Sequence, residues 1–275
     1  MRSNAPAGRP AVFPERLGGL FAFVGDTITV ADAEIRKLRH DPLELFMRAV
    51  QPTLWLVVFG QVMSRIRGVP TGPLSYLDFM APGILAQSVL FIAIFYGVSA
   101  IRERDLGVLN KYMVSPIART ALVLGKAISA GARALSQTVI VFVLALLLRI
   151  HASWEPLNVL GVVALVVMGS AVFSTLSLVI ACLVKSHERI MGMGQVMTMP
   201  LFFASNAIYP IVLMPMWLRS IASVNPLTYE VDGLRALMVQ GGTSTLGLGV
   251  DFGVLLAFIV VLVAVATRLY PRLVT

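Results

Sequence analysis

Six apolar runs constrain this chain more than any other feature of its sequence. Each run, with its flanks, is long enough to cross a bilayer, which takes roughly 20 apolar residues. Only 13% of the residues are charged and 57% are hydrophobic, which is typical of a polytopic, all-α membrane protein. The expected transmembrane helices are Val50–Ile66, Leu77–Ile101, Leu122–Leu148, Leu157–Val184, Ile190–Tyr209 and Leu246–Thr267.

The basic residues lie at the ends of these runs. A net charge of +8 would suit nucleic acid, but this placement is typical of membrane topology instead. With both termini in the cytoplasm, 17 of the 22 Lys and Arg residues fall on the cytoplasmic side, as the positive-inside rule requires. We therefore expect a multi-pass protein of the plasma (inner) membrane, embedded in the lipid bilayer, with cytoplasmic termini and no nucleic-acid partner.

The region before the first run divides into two parts. Residues 1–25 contain arginines and prolines but no uninterrupted apolar core, so we expect a flexible tail rather than a signal peptide. Residues 26–48 mix periodic apolar residues with a basic cluster at Arg36–His40. This pattern predicts an interfacial helix with its cations near anionic headgroups. An ordinary cytoplasmic helix is the alternative.

A charge-rich segment, residues 102–118, separates the second and third runs. Arg102–Asp105 begin it, and apolar residues between Leu106 and Met113 recur at helical spacing. Pro116 marks the end of this short amphipathic helix. One interpretation is a helix on the cytoplasmic membrane surface that is offered to a soluble partner. The other is a solvated loop that only fixes topology.

Residues 210–240 are too apolar for a free loop and too interrupted by prolines for a single span. Two short re-entrant helices that dip into the outer leaflet fit this pattern, because irregular backbone at that depth must be buried in protein or line a water-filled cavity. Glu230, Asp232 and Arg235 are expected to pair there in a structural role. Gly241–Thr245 predicts a turn before the last span.

The sequence lacks several signatures of chemistry. It contains no GxxxxGK[ST] phosphate loop, no GxSxG and no metal-ligand spacing among its histidines. Cys182, the single cysteine, is expected to be a buried small hydrophobe. We therefore expect a transport subunit rather than an enzyme, with no cofactor of its own. The spans as drawn hold almost no acidic residue, which disfavours an ion-coupled carrier. An ATP-independent secondary carrier or channel is the alternative function.

Three stretches together resemble the membrane subunit of type-2 ATP-binding-cassette (ABC) exporters, in the group that includes daunorubicin-resistance permeases. The resemblance covers most of residues 26–270. At Gly107–Asn110 the chain reads GVLN, where the family usually has Gly-Thr-Leu-Glu. The three stretches are Asp78–Leu85, Arg102–Gly107 continuing through Ser115–Pro116 to Leu124–Lys126, and Pro215–Leu218 followed by Asn225–Tyr229 and Asp232–Arg235.

The resemblance implies six spans per subunit, an interfacial helix before the first span, external re-entrant helices and a cytoplasmic coupling helix. The coupling helix would dock on a cytosolic ABC ATPase that binds ATP and Mg. Two permease copies, in a homodimer or a heterodimer, would assemble with two ATPase subunits. The implied function is export of an amphipathic, drug-like or lipid-like substrate from the cytoplasm.

Two groups of candidate site residues follow, and no metal site is expected. The coupling candidates could instead serve topology and solubility alone, and the aromatic candidates could be ordinary packing or interfacial anchors. The residues expected to couple the chain to the ATPase are Glu103, Arg104, Asp105, Gly107, Ser115 and Pro116. The residues expected to line the substrate path are Phe91, Phe95, Tyr96, Phe202, Phe203, Asn206 and Tyr209.

Overall fold

The structure, a computed structural model, describes residues 42–65, 71–105, 119–184 and 187–270. Within these ranges the regular structure is helical, without a strand, and Ala152 and Val239 form an isolated antiparallel bridge. The predicted tail at 1–25 lies outside the described residues. So do residues 26–41 of the predicted interfacial helix and residues 106–118 of the predicted coupling helix.

The helices are numbered in chain order. A π-helical segment, Leu54–Gly60, joins the first two of them, and a 3-10 turn at Ile211–Leu213 precedes the seventh. The α-helices are α1 (Pro42–Thr53), α2 (Gln61–Ser64), α3 (Tyr76–Asp105), α4 (Arg119–Leu147), α5 (Pro156–Leu183), α6 (His187–Phe203), α7 (Met216–Val224), α8 (Pro226–Met238) and α9 (Leu248–Leu269).

Four helical segments of the described chain are long and apolar enough to cross a membrane: Tyr76–Phe95, Val123–Leu147, Pro156–Leu183 and Leu248–Leu269. They coincide with the second, third, fourth and sixth predicted spans. The first and fifth fall on α1–α2 and α6, which are helical but broken or shorter. The helical membrane class is therefore confirmed, and the count of six spans stays a prediction.

Helix α3 lies at the centre of the bundle. Every residue from Phe79 to Leu90 is buried, and the helix packs against α4, α5, α6 and α8. A helix that is apolar on all sides belongs inside a bundle. By contrast, α9 leaves most of its apolar side chains exposed or half-buried, as expected of a lipid-facing helix. Residues 102–105 continue α3 and so do not begin a separate helix, because no proline or glycine lies between Gly97 and Gly107.

A proline inside α1 explains how this helix docks on α4. Pro52 has no N–H, so the carbonyl of Arg48, four residues earlier, loses its helical partner. The side-chain amide of Gln137 on α4 donates to that carbonyl at 3.3 Å, and Arg48 Nη1 donates to Ser136 Oγ at 3.2 Å. The π-helical segment begins two residues after the proline. A neighbouring helix thus satisfies the backbone group that the proline frees.

Asn225 joins the end of α6 to the start of α8. Its side-chain amide donates to the carbonyls of Leu201 (2.7 Å) and Ala204 (3.0 Å), which lie at the C-terminal end of α6. Its side-chain oxygen accepts from the amide of Leu227 (3.0 Å) and so caps α8. Pro226 follows at the first helical position, where a missing N–H costs nothing. At 13 residues, α8 is about 20 Å long and does not span a bilayer.

Candidate functional site

Asp232 on α8 anchors the turn that leads into α9. Its carboxylate accepts hydrogen bonds from the backbone amides of Thr245 (2.7 Å) and Leu246 (3.0 Å), and from the Thr245 hydroxyl (2.9 Å). The Ser244 hydroxyl lies 3.0 Å from Asp232 and 2.8 Å from Asp251 in the first turn of α9. Both carboxylates are fully buried. Donors from the turn therefore replace the water that burial removes from Asp232.

Arg235, one turn after Asp232, ties α8 to two other elements. Its Nε and Nη2 donate to the carbonyls of Phe79 (3.3 Å) and Asn206 (2.7 Å). Its guanidinium carbon lies 3.8 Å from the centre of the Phe79 ring, in cation–π geometry. Its Nη1 lies 3.9 Å from Asp232 Oδ1. Desolvation lowers the pKa of Arg235 to about 10, and Asp232 opposes that shift, so the cation persists at neutral pH.

The first turn of α3 is fastened to the loop between α4 and α5. Asp78 accepts from the His151 backbone amide (3.0 Å) and the Ser75 hydroxyl (2.7 Å), and its Oδ2 lies 3.2 Å from His151 Nδ1. The carbonyl of His151 accepts from the amide of Gln240, just beyond α8 (2.8 Å). These contacts bring the polar residues to one end of the bundle. That end is termed the polar cap, and it comprises Asp78, His151, Asn206, Asp232, Arg235 and residues 244–246.

Glu230 is a second acidic side chain of α8, and it lies deeper than the polar cap. It is fully buried, and neither carboxyl oxygen has a hydrogen-bond partner among the described residues. The carboxyl group packs against Gly169, where any Cβ atom would overlap it. Gly169 is at the middle of α5, about 20 Å from either end. Burial raises the pKa of Glu230 well above its ordinary value and so favours the neutral acid.

The expected trio of Glu230, Asp232 and Arg235 is thus only partly paired. Asp232 and Arg235 lie within ion-pair distance, whereas Glu230 contacts α5 instead. The predicted spans contain almost no acidic residue, but this does not keep carboxyl groups out of the bundle. The short helix α8 places the carboxyl group of Glu230 at mid-bundle. Sequence position alone does not show how deep a side chain of a short helix reaches.

Three of the predicted coupling residues lie at the opposite end of the bundle. The backbone of Glu103, Arg104 and Asp105 forms the last turn of α3. Gly107, Ser115 and Pro116 lie outside the described residues. Because α3 is a single helix of 30 residues, this end is about 45 Å from its first residue.

Two of the predicted path residues stack on α3. The rings of Phe91 and Phe95 have centres 6.1 Å apart, and both side chains are half-buried. Phe95 also approaches Gly194 on α6, where a Cβ atom would lie 3.8 Å from the ring. Tyr96 follows on α3, and the structure describes its backbone only.

The other predicted path residues lie in different environments. Phe202 is fully buried and makes an edge contact with Trp55, with ring centres 5.4 Å apart. Phe203 is 44% exposed, and its carbonyl accepts a hydrogen bond from the half-buried Tyr209 hydroxyl. Asn206 lies in the polar cap and donates to Asp232 Oδ1 at 3.4 Å. The structure therefore does not bring these residues together in one wall.

Sequence reasoning missed the partners of Asp232. The turn at Gly241–Thr245 was expected from its glycines, but its attachment to Asp232 was not. A signal was present: a Ser-Thr pair offers hydroxyl and amide donors 12 and 13 residues after a carboxylate that α8 buries. Sequence reasoning likewise gave no role to His151 and Asp251.

The polar cap offers no metal centre in the described part of the chain. No three His, Cys, Asp or Glu side chains there lie close enough to hold a metal ion. Asp232 and Asp251 share only the Ser244 hydroxyl, whose single proton serves one carboxylate at a time. The arrangement is suited to fastening helix ends rather than to covalent chemistry.

The apolar helices and the polar cap define a multi-pass helical membrane protein. The family model for the ABC-2 type transporter matches residues 26–239, and the chain belongs to this family. The resemblance drawn from the three sequence stretches is thereby confirmed. The chain is an ABC-2 transport permease, and membership implies pairing with an ABC ATPase subunit.

Named relatives agree with this family. The chain is 27% identical to the daunorubicin resistance ABC transporter permease protein DrrB1 of Streptomyces coeruleorubidus, over 91% of this chain and 86% of the relative. It is 30% identical to the ycf38 transport permease of Porphyra purpurea, over 70% and 67% of the two chains. It is 27% identical to nodulation protein J of Rhizobium leguminosarum bv. viciae, over 78% and 79%.

Proposed function

We propose that this chain is the membrane-spanning permease subunit of an ATP-driven exporter, coupled to a separate ATPase that binds ATP and Mg. The observation that carries the proposal is the continuity of α3. One uninterrupted helix joins the charged turn at Glu103–Asp105 to the polar cap at Asp78. A push at one end of such a helix displaces the other.

Burial gives this helix a central mechanical position. It packs against α4, α5, α6 and α8, so its displacement changes contacts with each of them. The stacked rings of Phe91 and Phe95 belong to the same helix and would move with it. ATP binding would close two ATPase subunits, and a coupling helix that follows α3, within residues 106–118, would carry that motion to α3. Gly107 is proposed to take part in docking on the ATPase, and Ser115 and Pro116, with the turn around Pro116, are proposed to transmit the motion.

The substrate is proposed to be an amphipathic, drug-like or lipid-like molecule that leaves the cytoplasm between two permease copies. The half-buried rings of Phe91 and Phe95 on α3 would supply one apolar, aromatic surface, and Phe203 with Tyr209 would supply a second. The relative named for daunorubicin resistance supports a drug-like substrate. The membrane is proposed to be the plasma (inner) membrane, with both termini cytoplasmic.

The test is coupled ATPase activity in proteoliposomes that contain the permease and its ATPase partner. Glu103→Ala combined with Asp105→Ala should lower substrate-stimulated ATP hydrolysis and export, while membrane insertion is retained. Glu188→Ala is the matched control, because it removes an exposed acid from the same end of the bundle, in the first turn of α6. Unchanged export by the double variant would refute the coupling role.

One observation favours a second candidate, an ATP-independent carrier driven by protons. Glu230 is a buried, unpartnered carboxyl at mid-bundle, which is the kind of group that proton-coupled carriers use. The test is uptake by proteoliposomes that contain the permease alone under an imposed pH gradient. Gradient-driven transport that Glu230→Gln abolishes would support the carrier, and transport that requires ATPase and ATP would exclude it.

A further inference from the structure

A cavity of about 540 Å³ opens beside the polar cap. Its walls are residues 71–74 before α3, residues 210–212 before α7 and part of the turn at 241–246. Phe79, Asn206, Asp232 and Arg235 also line it and form its buried floor. The cavity lies within a single chain, so it needs neither a second permease copy nor the ATPase to be complete.

Among the described residues, the charged side chains that line the cavity are Arg219, Arg235 and Asp232, which give a formal net charge of +1 from two cations and one anion. The carboxylate of Asp232 already accepts hydrogen bonds from Asn206 and from the 244–246 turn. Arg235 Nη1 lies 3.9 Å from Asp232, beyond hydrogen-bond distance. Arg219 is exposed at the side of the cavity and donates to the carbonyl of Val212 at 3.2 Å. The cavity therefore presents positive charge.

Asn206 supplies an independent sign of a ligand. The residue is only 2% exposed, it lines the cavity, and its Oδ1 atom has no hydrogen-bond partner among the described residues. Burying an amide oxygen without a hydrogen-bond donor costs desolvation free energy. Native structures therefore rarely contain such an unsatisfied acceptor. A ligand that carries a hydroxyl group next to its negative charge would satisfy this oxygen.

The remaining walls are largely apolar, with Leu74, Pro210, Ile211 and Leu246 among them. Small-molecule sites combine such apolar walls with a few convergent polar groups, and this volume is within their usual range. We propose that the cavity binds an amphipathic organic anion, with its acidic, hydroxyl-bearing head at Arg219, Arg235 and Asn206 and its apolar body along residues 210–212. The proposal does not depend on export or on ATP.

The experiment uses the full chain in nanodiscs of zwitterionic phosphatidylcholine, without ATPase. Two photoreactive probes share one diazirine-bearing acyl chain and a glycerol hydroxyl: lysophosphatidic acid carries a phosphate, and monoacylglycerol does not. The expected result is saturable labelling by the phosphate probe, mapped by mass spectrometry to residues 71–74, 210–212 or 241–246. The neutral probe should label these segments several-fold less.

Two variants and one control test the assignment. Arg219→Gln removes an exposed charge and should lower labelling by the phosphate probe about two- to fivefold while leaving the neutral probe unchanged. Leu74→Trp narrows the cavity and should lower labelling by both. Arg149→Gln removes an exposed arginine after α4 that does not line the cavity, and it should behave as wild type. Thermal unfolding checks that each variant is folded. If Leu74→Trp does not fold, the result for Arg219→Gln alone tests the proposal.

Equal labelling by the two probes, labelling confined to other segments, or an Arg219→Gln protein that labels as wild type would overturn the proposal. The source of the ligand is read from nanodiscs that contain anionic phosphatidylglycerol. Competition by that lipid identifies a bilayer lipid as the occupant, whereas competition by free lysophosphatidic acid alone identifies a molecule that enters from water.

Discussion

The carboxyl group of Glu230 on α8 packs against the backbone of Gly169 on α5, in space that any larger residue at position 169 would fill. A reciprocal contact occurs one turn further along α8, where Gly233 accepts the side chain of Leu165. Small residues let helices approach closely in membranes, where packing replaces the hydrophobic effect as the driving force. The α5–α8 contact is therefore a tightly fitted part of the bundle.

Gly169→Ala should destabilise the protein. The added methyl group overlaps the Glu230 carboxyl, so this fully buried side chain has to shift within a filled interior, and overpacking of this kind costs about 1–3 kcal/mol. The measurement is the apparent melting temperature in nanodiscs. Gly253→Ala on α9 is the control, since a Cβ there meets no atom within 4 Å, and it should melt at or above the wild-type temperature.

A double variant shows whether the two residues act through each other. Glu230→Ala removes the group that the new methyl overlaps, so Gly169→Ala should cost less in that background than in the wild type. The expected coupling is at least about 0.5 kcal/mol, as for residues in contact. Additive losses would mean that Gly169 matters for another reason.

Glu230→Gln should flatten the dependence of stability on pH. Burial raises the pKa of Glu230 in the folded protein, so between the unfolded and folded pKa values the folded state binds more protons. Stability is then greatest below the ordinary Glu pKa of about 4.3 and falls as pH rises, by at most about 1.4 kcal/mol per unit. Glutamine fills the same space without a titrating proton.

The measurement is thermal unfolding of both proteins from pH 5 to pH 8. The gap in melting temperature should widen with pH in favour of Glu230→Gln. Glu155→Gln, which changes an exposed acid at the start of α5, should keep the wild-type slope. Parallel curves for wild type and Glu230→Gln would show that Glu230 does not hold its proton in the folded protein.

The long apolar helices were predictable because length and hydropathy are strong local signals. The predicted span Leu157–Val184 and the observed helix Pro156–Leu183 differ by one residue at each end. The predicted span Ile190–Tyr209 ended too late, because α6 stops at Phe203. Beyond it the chain turns, and Ala207 contacts α3 at Gly83, where a Cβ would overlap its backbone. That close approach is a tertiary contact, and the hydrophobic periodicity of the sequence does not indicate it.

The site was less predictable than the helices for the same reason. The partners of Asp232 are local in sequence, but only the burial of α8 makes their hydrogen bonds necessary. The contact between Glu230 and Gly169 spans some 60 residues and depends on how α8 enters the bundle. A hydropathy profile depends only on the position of a carboxyl group in the sequence. The desolvation cost of that group depends on how deeply the folded chain buries it.

Asp232→Ala should destabilise the protein more than Asp232→Asn. The alanine leaves Arg235 buried without its anion and frees the amides of Thr245 and Leu246, and breaking a buried ion pair costs about 3–5 kcal/mol. Asparagine retains one acceptor oxygen. Ser244→Ala, which removes a single hydroxyl, should cost about 1 kcal/mol.

Thermal unfolding gives this ranking, and limited proteolysis locates the damage. Cleavage within residues 241–247 should rise in Asp232→Ala before the rest of the chain becomes accessible, because Asp232 fastens that turn. An Asp232→Ala protein that melts as wild type with an uncut turn would contradict this role.

The two ends of the bundle should face opposite sides of the membrane. Thr243 is exposed beside the polar cap, and Glu188 is exposed in the first turn of α6, at the end where α5 finishes. Helix α5, with 28 residues, separates these ends by about 42 Å, enough to cross a bilayer.

After the buried Cys182 is replaced by alanine, Thr243→Cys should react with a membrane-impermeant maleimide in intact cells. Glu188→Cys should react only after permeabilisation, because the positive-inside rule predicts that its end faces the cytoplasm. Labelling of Glu188→Cys from outside would place the charged end of α3 in the wrong compartment for a cytosolic ATPase.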